Sequence, residues 1–254
     1  MKTLVLDLGN TTLYVGEFQG SKLVRQFRVP AAAVVTAAAF AHEVAHRLSR
    51  DIHQVVLVSV VPARTTRLVG YLRKTLQLEP LVLNSQSNHG LKLAYRNPAE
   101  LGADRLATAL GARKLYPHKN LIVVDCGTAT TLTLLSRDGV LLGGAIMPGL
   151  GLWPAMLAQR TARLPEVTLQ KPTRVVARDT VGALRSGILH GHTGAIRELI
   201  SRSRTEAFGH SSAVVIGTGG LVTHFKGQGL FTAIEPSLIL HGLQAFAAQN
   251  SPHA

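Results

Sequence analysis

The sequence predicts a duplicated α/β protein of two domains, 1–117 and 118–254. Three observations carry that prediction. An apolar β run, Leu4 to Leu6, ends in the carboxylate of Asp7 and continues into small hydrogen-bonding residues, Gly9, Asn10, Thr11 and Thr12. The pattern returns at Leu121 to Thr130, where Asp125, Gly127, Thr128 and Thr130 fill similar places. A shift of 118 residues also lays the polar turn Gln19-Gly20-Ser21 on Arg137-Asp138-Gly139 and Pro30 on Pro148, so the punctuation repeats over a whole unit. With 254 residues, 46% of them hydrophobic, the chain can bury two modest cores.

In the first domain, Thr3 to Leu8, Thr12 to Phe18 and Leu23 to Val29 read as strands broken at Gly9-Asn10 and Gln19-Gly20-Ser21. Such short connections make them antiparallel neighbours. Ala31 to Arg50 is alanine-rich and reads as one helix, and the β-branched run Val55 to Val61 reads as a buried parallel strand after that crossover. Arg64 to Leu76 reads as a helix and Leu81 to Asn84 as a strand. A polar, turn-rich stretch, 85–99, leads into Gly102-Ala103-Asp104-Arg105 and a helix over Leu106 to Tyr116. The second domain repeats the opening: strands at Leu121 to Asp125, Ala129 to Leu135 and Val140 to Met147, then a helix over Trp153 to Arg163. After a proline-containing excursion, a long helix is expected over Thr180 to Thr205 and a strand over Ala213 to Ile216. That strand enters Gly217-Thr218-Gly219-Gly220, and short helices over Leu221 to Phe225 and Ser237 to Ala248 finish the chain.

Composition narrows the function classes. No apolar run reaches membrane-spanning length and the N-terminus enters a strand directly, so no membrane partner is expected and the chain is expected to be cytoplasmic. A single cysteine, Cys126, excludes an intrachain disulfide and fits a reducing compartment. The net charge of +13 admits a polyanion-binding surface or a site for a phosphorylated ligand on a basic background. The arginines are dispersed, with few aromatics between them for base stacking, which argues against nucleic acid as the primary partner.

The chain has neither a Walker-type loop nor a dinucleotide fingerprint after its first strand, so phosphate chemistry falls to the paired hairpin turns. Small residues let backbone N–H groups approach phosphate oxygens, hydroxyls and amides add donors, and the strand-end aspartate can hold a cation. One such turn alone could equally be a tight turn with a left-handed asparagine; its repetition favours the ligand reading. Gly217-Thr218-Gly219-Gly220 follows a strand, where glycine can serve geometry or close approach of a ligand. Asp104 opens a helix, so its local reading is a cap, and its functional reading is a base with Arg105 beside it for a substrate anion. His42-Glu43-Val44-Ala45-His46 matches a zinc-helix pattern but has no identifiable third ligand and reads as a solvated helix face. Cys126 reads as a buried strand residue, because the neighbouring aspartate disfavours a thiolate.

Taken in order, Asp7-Leu8-Gly9-Asn10-Thr11, Tyr95-Arg96-Asn97-Pro98, Gly102-Ala103-Asp104-Arg105, Asp125-Cys126-Gly127-Thr128-Ala129-Thr130, Met147-Pro148-Gly149 and Thr218-Gly219-Gly220 resemble the type III pantothenate kinase family, which also contains proteins named Bvg accessory factor. The resemblance runs nearly end to end. It implies the acetate and sugar kinase, Hsc70 and actin (ribonuclease H-like) fold, with nucleotide bound between duplicated domains. It also implies ATP-dependent phosphorylation of pantothenate to 4′-phosphopantothenate, the first step of coenzyme A biosynthesis. Residue by residue, it puts Asp7, Leu8, Gly9, Asn10, Thr11, Thr12, Leu13 and Tyr14 on the ATP phosphates, with Asp7 near Mg2+. Asp125 matches the ligand of a monovalent cation, K+ or NH4+, Thr128 an ATP contact, and Thr218-Gly219-Gly220 the adenosine side. Tyr95, Gly102, Ala103, Asp104, Arg105 and Thr180 fall at the pantothenate site, with Asp104 as general base. Here Asp179-Thr180 stands where the family more often has Asn-Thr, and Glu235-Pro236-Ser237-Leu238 matches the family's Asp-Pro-x-Leu only loosely.

The family resemblance further implies a homodimer, with the long helix from Thr180 near the interface. Two other readings stay open on sequence alone. One is a non-catalytic regulatory member that binds nucleic acid or a protein partner. The other keeps the fold and phosphorylates a different small hydroxyl compound.

Overall fold

Alternation along the first strand decides how the N-terminal part packs. In the computed structural model, which describes residues 1–251, β1 (Lys2–Leu8) turns Leu4, Leu6 and Leu8 to one side, where they join Leu13, Val15, Phe40, Leu68 and Leu72 in a core. The other face carries Val5, and across from it Gly16 leaves room for Leu240: a Cβ there would sit 2.8 Å from one Leu240 methyl and 2.9 Å from Val5. Contacts divide the chain into two units, one of residues 1–115 with the chain from Leu238 onward, the other Tyr116–Ser237.

In the first unit β1, β2 (Thr12–Gln19) and β3 (Lys22–Pro30) form an antiparallel meander, and β4 (Gln54–Ser59) and β5 (Leu81–Val82) add in parallel, giving the order β3-β2-β1-β4-β5. Helices α1 (Ala37–Glu43) and α2 (Pro62–Leu76) contribute to the Leu4-Leu6-Leu8 side. A two-residue strand, β6 (Lys92–Leu93), precedes α3 (Ala103–Leu115).

The closing helix, α6 (Leu238–Gln249), corrects the expected domain division. Sequence order assigned residues from 238 on to the second domain, whereas they pack with the first unit, against α3, β1 and β4. Two glycines make the α3–α6 approach possible. A Cβ on Gly111 would lie 3.1 Å from the Leu238 carbonyl carbon, and one on Gly242 would lie 2.7 Å from that of Ala107. Backbone therefore meets backbone, with Leu238, Leu240, Leu243 and Phe246 buried alongside.

The single helix expected over 31–50 is also corrected. A 3-10 turn, Ala31–Val34, gives way to α1, and a second, Ala45–Arg47, follows it. Thr36 takes an extended backbone and its hydroxyl caps a fresh helix by accepting from the Ala39 amide at 3.1 Å. The run Val34-Val35-Thr36 explains the break, since β-branched residues are poor at continuing a helix. Because α1 ends at Glu43, His42 and His46 do not share a helical face, and their ring centres lie 6.0 Å apart.

The second unit repeats the first. Strands β7 (Asn120–Cys126), β8 (Ala129–Leu135) and β9 (Val140–Pro148) form an antiparallel meander, with β10 (Ala213–Thr218) and β11 (Ala233–Ile234) parallel on the other side of β7. Read as β9-β8-β7-β10-β11, this is the order of the first sheet strand for strand. The 118-residue shift carries β1 onto β7 and β3 onto β9 to the residue. Helices α4 (Leu152–Arg160) and α5 (Thr180–Phe208) complete the unit. Asp179 caps α5 by accepting from the Gly182 amide at 2.7 Å, and Ile188, Leu189, Ile196 and Ile200 sink its inner face into a core with Ile122, Val124, Leu132 and Val215.

Candidate active site

Both predicted phosphate turns are hairpins closed by a glycine amide, the second one residue shorter than the first. In the first, the Gly9 amide donates to the Thr12 carbonyl at 2.9 Å; in the second, Gly127 donates to Ala129 at 3.1 Å. Asp7 and Asp125 occupy corresponding places near the ends of β1 and β7, and both are partly exposed. The tips, Asn10 and Thr11 in one and Thr128 and Ala129 in the other, face solvent, where a polyanion could reach their amides and hydroxyls.

Around the first turn, Asp7, Tyr14 and Arg28 form one cross-strand row, Asp7 opposite Tyr14 and Tyr14 opposite Arg28. The Arg28 guanidinium stacks 3.6 Å above the Tyr14 ring, whose hydroxyl donates to Gln26 Oε1. Burial raises the Tyr14 phenol above its ordinary value; Arg28 opposes that rise and Asp7 adds to it. The sequence reading missed Arg28. Its pairing across from Tyr14 in an alternating hairpin was the signal that could have found it.

The set expected on the substrate side lies at and before the start of α3. Asp104 Oδ1 accepts from the Arg105 amide at 2.8 Å, and a Cβ on Gly102 would fall 2.5 Å from that oxygen. Glycine at 102 is thus required for the carboxylate to stay where it is. Arg105, only 8% exposed, holds its guanidinium 5.8 Å from the centre of the Tyr95 ring, so Tyr95, Gly102, Ala103, Asp104 and Arg105 do come together. One Asp104 oxygen thus serves an amide in the first turn of α3, in line with the local reading of this residue.

In the second unit, Gly149 holds the turn from below. Its amide donates to the Thr128 carbonyl at 3.0 Å, and its missing side chain is essential, since a Cβ would lie 2.7 Å from the Thr128 carbonyl carbon. Asp125 is packed by Gly219, which has φ +91; a Cβ there would collide with Asp125 Oδ1 and lie 2.7 Å from the Cys126 backbone. The Thr218-Gly219-Gly220 turn is therefore fitted against Asp125, and the Leu221 amide bonds to the Cys126 carbonyl at 2.9 Å. Thr218 donates to the Glu235 carbonyl at 2.7 Å, while Tyr116 donates to Glu235 Oε1 at 2.8 Å. Burial and the Glu235 hydrogen bond push Tyr116 up to about 12. Cys126 is buried, and burial, reinforced by the Asp125 charge, pushes its thiol up to about 12, far from a nucleophile. Thr180 is exposed at the first turn of α5.

The donor set suits the cations of phosphoryl transfer. Mg2+ that arrives on nucleotide phosphates is met by one or two protein carboxylates, and Asp7 beside a turn of amides and hydroxyls offers that chemistry. Among the described residues, no three His, Cys, Asp or Glu side chains gather as a metal site. No helix among them is long and apolar enough to cross a membrane.

Solved structures share this fold at low identity. A Baf family protein from Campylobacter jejuni superposes with TM-score 0.64 at 18% identity, over 99% of this chain and 100% of that one. The activator of 2-hydroxyisocaproyl-CoA dehydratase from Clostridium difficile, solved with bound ADPNP, gives 0.53 at 12%, over 98% and 94%. Duplicated sheets with paired aspartate-ended turns define the class as the acetate and sugar kinase, Hsc70 and actin fold. The type III pantothenate kinase profile matches residues 3–202, and the type III pantothenate kinase of Legionella pneumophila strain Corby is 36% identical over 253 residues, 98% of this chain and 99% of the relative. The chain belongs to the type III pantothenate kinase family.

Proposed function

We propose that this chain transfers the γ-phosphoryl group of ATP to the primary hydroxyl of pantothenate, giving 4′-phosphopantothenate and ADP, the opening step of coenzyme A biosynthesis. The observation that carries the proposal, beside family membership, is the α3 constellation: Asp104 fixed by its helix end and by Gly102, with Arg105 and Tyr95 beside it. Asp104 takes the hydroxyl proton as the oxygen attacks the γ-phosphorus; an O–P bond forms, the bond to the β–γ bridging oxygen breaks, and ADP leaves with that electron pair. Arg105 meets the pantothenate carboxylate, with Tyr95, Gly102, Ala103 and Thr180 completing the substrate contacts. Asp7 through Tyr14 and Thr128 serve the ATP phosphates with backbone amides and hydroxyls. Mg2+, when bound, offsets charge on the phosphates; Asp7 would hold it, and Asp125 would hold a K+ or NH4+ ion.

A coupled ADP-release assay with pantothenate, MgATP and either K+ or Na+ tests the reading. Pantothenate-dependent turnover that requires K+ or NH4+ is expected. Turnover equal in Na+ would remove the cation role of Asp125, and none in any salt would remove the kinase reading. The regulatory alternative is not favoured, because relatives that match nearly the whole chain bear the kinase name. We also read the exposed Val175, Val176 and Val181, 68%, 81% and 36% exposed around the start of α5, as the face of a homodimer. A fully active monomer in light scattering at assay concentration would contradict that. A cytoplasmic site of action goes with the proposal.

A further inference from the structure

One buried polar cluster lies outside the residues assigned above. His192 sits in the middle of α5, 2% exposed, at a position of the apolar stripe it shares with Ile188, Ile196 and Ile200. The Trp153 indole N–H donates to His192 Nδ1 at 3.2 Å, and His192 Nε2 lies 3.0 Å from Thr130 Oγ1. The indole has only a proton to give, so Nδ1 accepts and Nε2 carries the ring hydrogen that points to the threonine. Phe225 stacks on the same ring with centres 5.5 Å apart. Burial lowers the basicity of this imidazole, in keeping with a neutral ring committed at both nitrogens.

The three polar partners close a circuit around the second phosphate turn. Thr130, fully buried, is the residue paired across from Cys126, where the Gly127-Thr128-Ala129 tip departs from the ladder. Trp153 stands in the first turn of α4, and α4 begins where the Leu152 amide bonds to Gly149 at 3.0 Å. Gly149 in turn donates to the Thr128 carbonyl at 3.0 Å. The path runs from Thr130 through His192 and Trp153 to Gly149 and back to Thr128. One arm reaches the base of the hairpin and the other the Trp153 indole.

We infer that His192 is a positioning residue for the nucleotide: through Thr130 it sets the base of the Thr128 hairpin and the adjoining Asp125 strand end against α5, while the Trp153 indole holds the ring in the tautomer that bonds Thr130. This deepens the kinase reading and rests on it. A turn that must present amides to a phosphate gains from being fixed before the ligand arrives, since loose placement weakens every contact at once. The hydrogen bonds are made inside the apolar core, where an unmade partner is expensive.

The experiment separates the two arms. Asparagine keeps an acceptor near the Nδ1 place and gives up the reach to Thr130; glutamine keeps a donor near the Nε2 place and gives up the indole. H192N and T130V are expected to raise the KM for MgATP about tenfold, the effect of one buried hydrogen bond. H192Q and T130S stay within about threefold of wild type, and the KM for pantothenate moves less than about twofold in all four. Trp153 is the only tryptophan, so its fluorescence reports the fold and the indole environment of each variant; it is expected to hold in T130V, which retains the His192–Trp153 bond. T130V is close in shape to threonine and keeps the test decisive should H192N fail to fold. Equal values for H192N and H192Q, a T130V enzyme with wild-type KM for MgATP, or parallel shifts in both substrates would overturn the inference. A wild-type protein without ATP-dependent turnover would overturn the kinase reading and the inference together; an active wild type with flat variants overturns the inference alone.

Discussion

Replacing Gly149 by alanine tests the second phosphate turn with a single methyl group. That carbon would stand 2.7 Å from the Thr128 carbonyl carbon, with the carbonyl oxygens of Thr128 and Gly127 nearer still. Carbon atoms in contact need about 3.5–4.0 Å, so either the turn or the β9–α4 junction must open by about 1 Å. The colliding atoms are backbone and cannot swing aside, and the 3.0 Å Gly149–Thr128 hydrogen bond stretches with them. Misplacing reacting groups by about 1 Å costs about 10²-fold in rate, which sets the expected fall in kcat/KM for MgATP. Steady-state kinetics should be run beside Gly70→Ala, whose methyl would meet nothing within 4 Å on exposed α2. That control keeps wild-type kinetics and gains about 0.5–1 kcal/mol of stability. A G149A enzyme with wild-type kcat/KM would refute the claim that close approach at Gly149 shapes the turn.

Four further outcomes follow from the same geometry. Asp104→Asn lowers kcat by about 10²–10⁴-fold and leaves MgATP affinity nearly intact, checked by turnover alongside calorimetric nucleotide binding. Gly102→Ala, whose methyl would lie 2.5 Å from Asp104 Oδ1, turns the carboxylate aside and lowers kcat more than it raises the KM for ATP; a wild-type kcat would contradict the fit. Tyr116 carries its proton to about 12 in the fold against an ordinary 10.0, so the stability it adds is complete below about pH 10 and lost as pH rises toward 12. Thermal melts of Tyr116→Phe between those limits should fall less steeply than wild type. Cys126, with its thiol pushed up to about 12 and its side chain buried, should react with a thiol reagent at pH 8 only as fast as the protein unfolds; rapid labelling of the native state would contradict the burial.

The duplication was legible in the sequence because it is written in local signals. Alternation marks each strand, and Gly9 and Gly127, Pro30 and Pro148 fall where the chain has to turn, so β1 to β3 and β7 to β9 were read within a residue or two. The aspartates were legible because strand ends place them. What escaped depends on distant partners. Nothing local to Leu238–Gln249 announces that α6 docks on α3; that follows from Gly111 and Gly242 meeting across about half the length of the chain. The break at Thr36 escaped because alanine content outweighed one capping hydroxyl. His192 left a trace, a polar residue in an otherwise apolar stripe, but its role depends on Trp153 and Thr130 arriving from other elements.

The most direct test of the central claim follows the phosphoryl group itself. Wild-type protein and D104N are incubated with pantothenate and γ-labelled ATP in Mg2+ and K+, and the products are resolved by mass spectrometry. The account predicts that wild type moves the label onto the primary hydroxyl of pantothenate, one group per ADP formed, and that D104N does so at least about 10²-fold more slowly. Label released only as inorganic phosphate, or equal transfer by D104N, would contradict it.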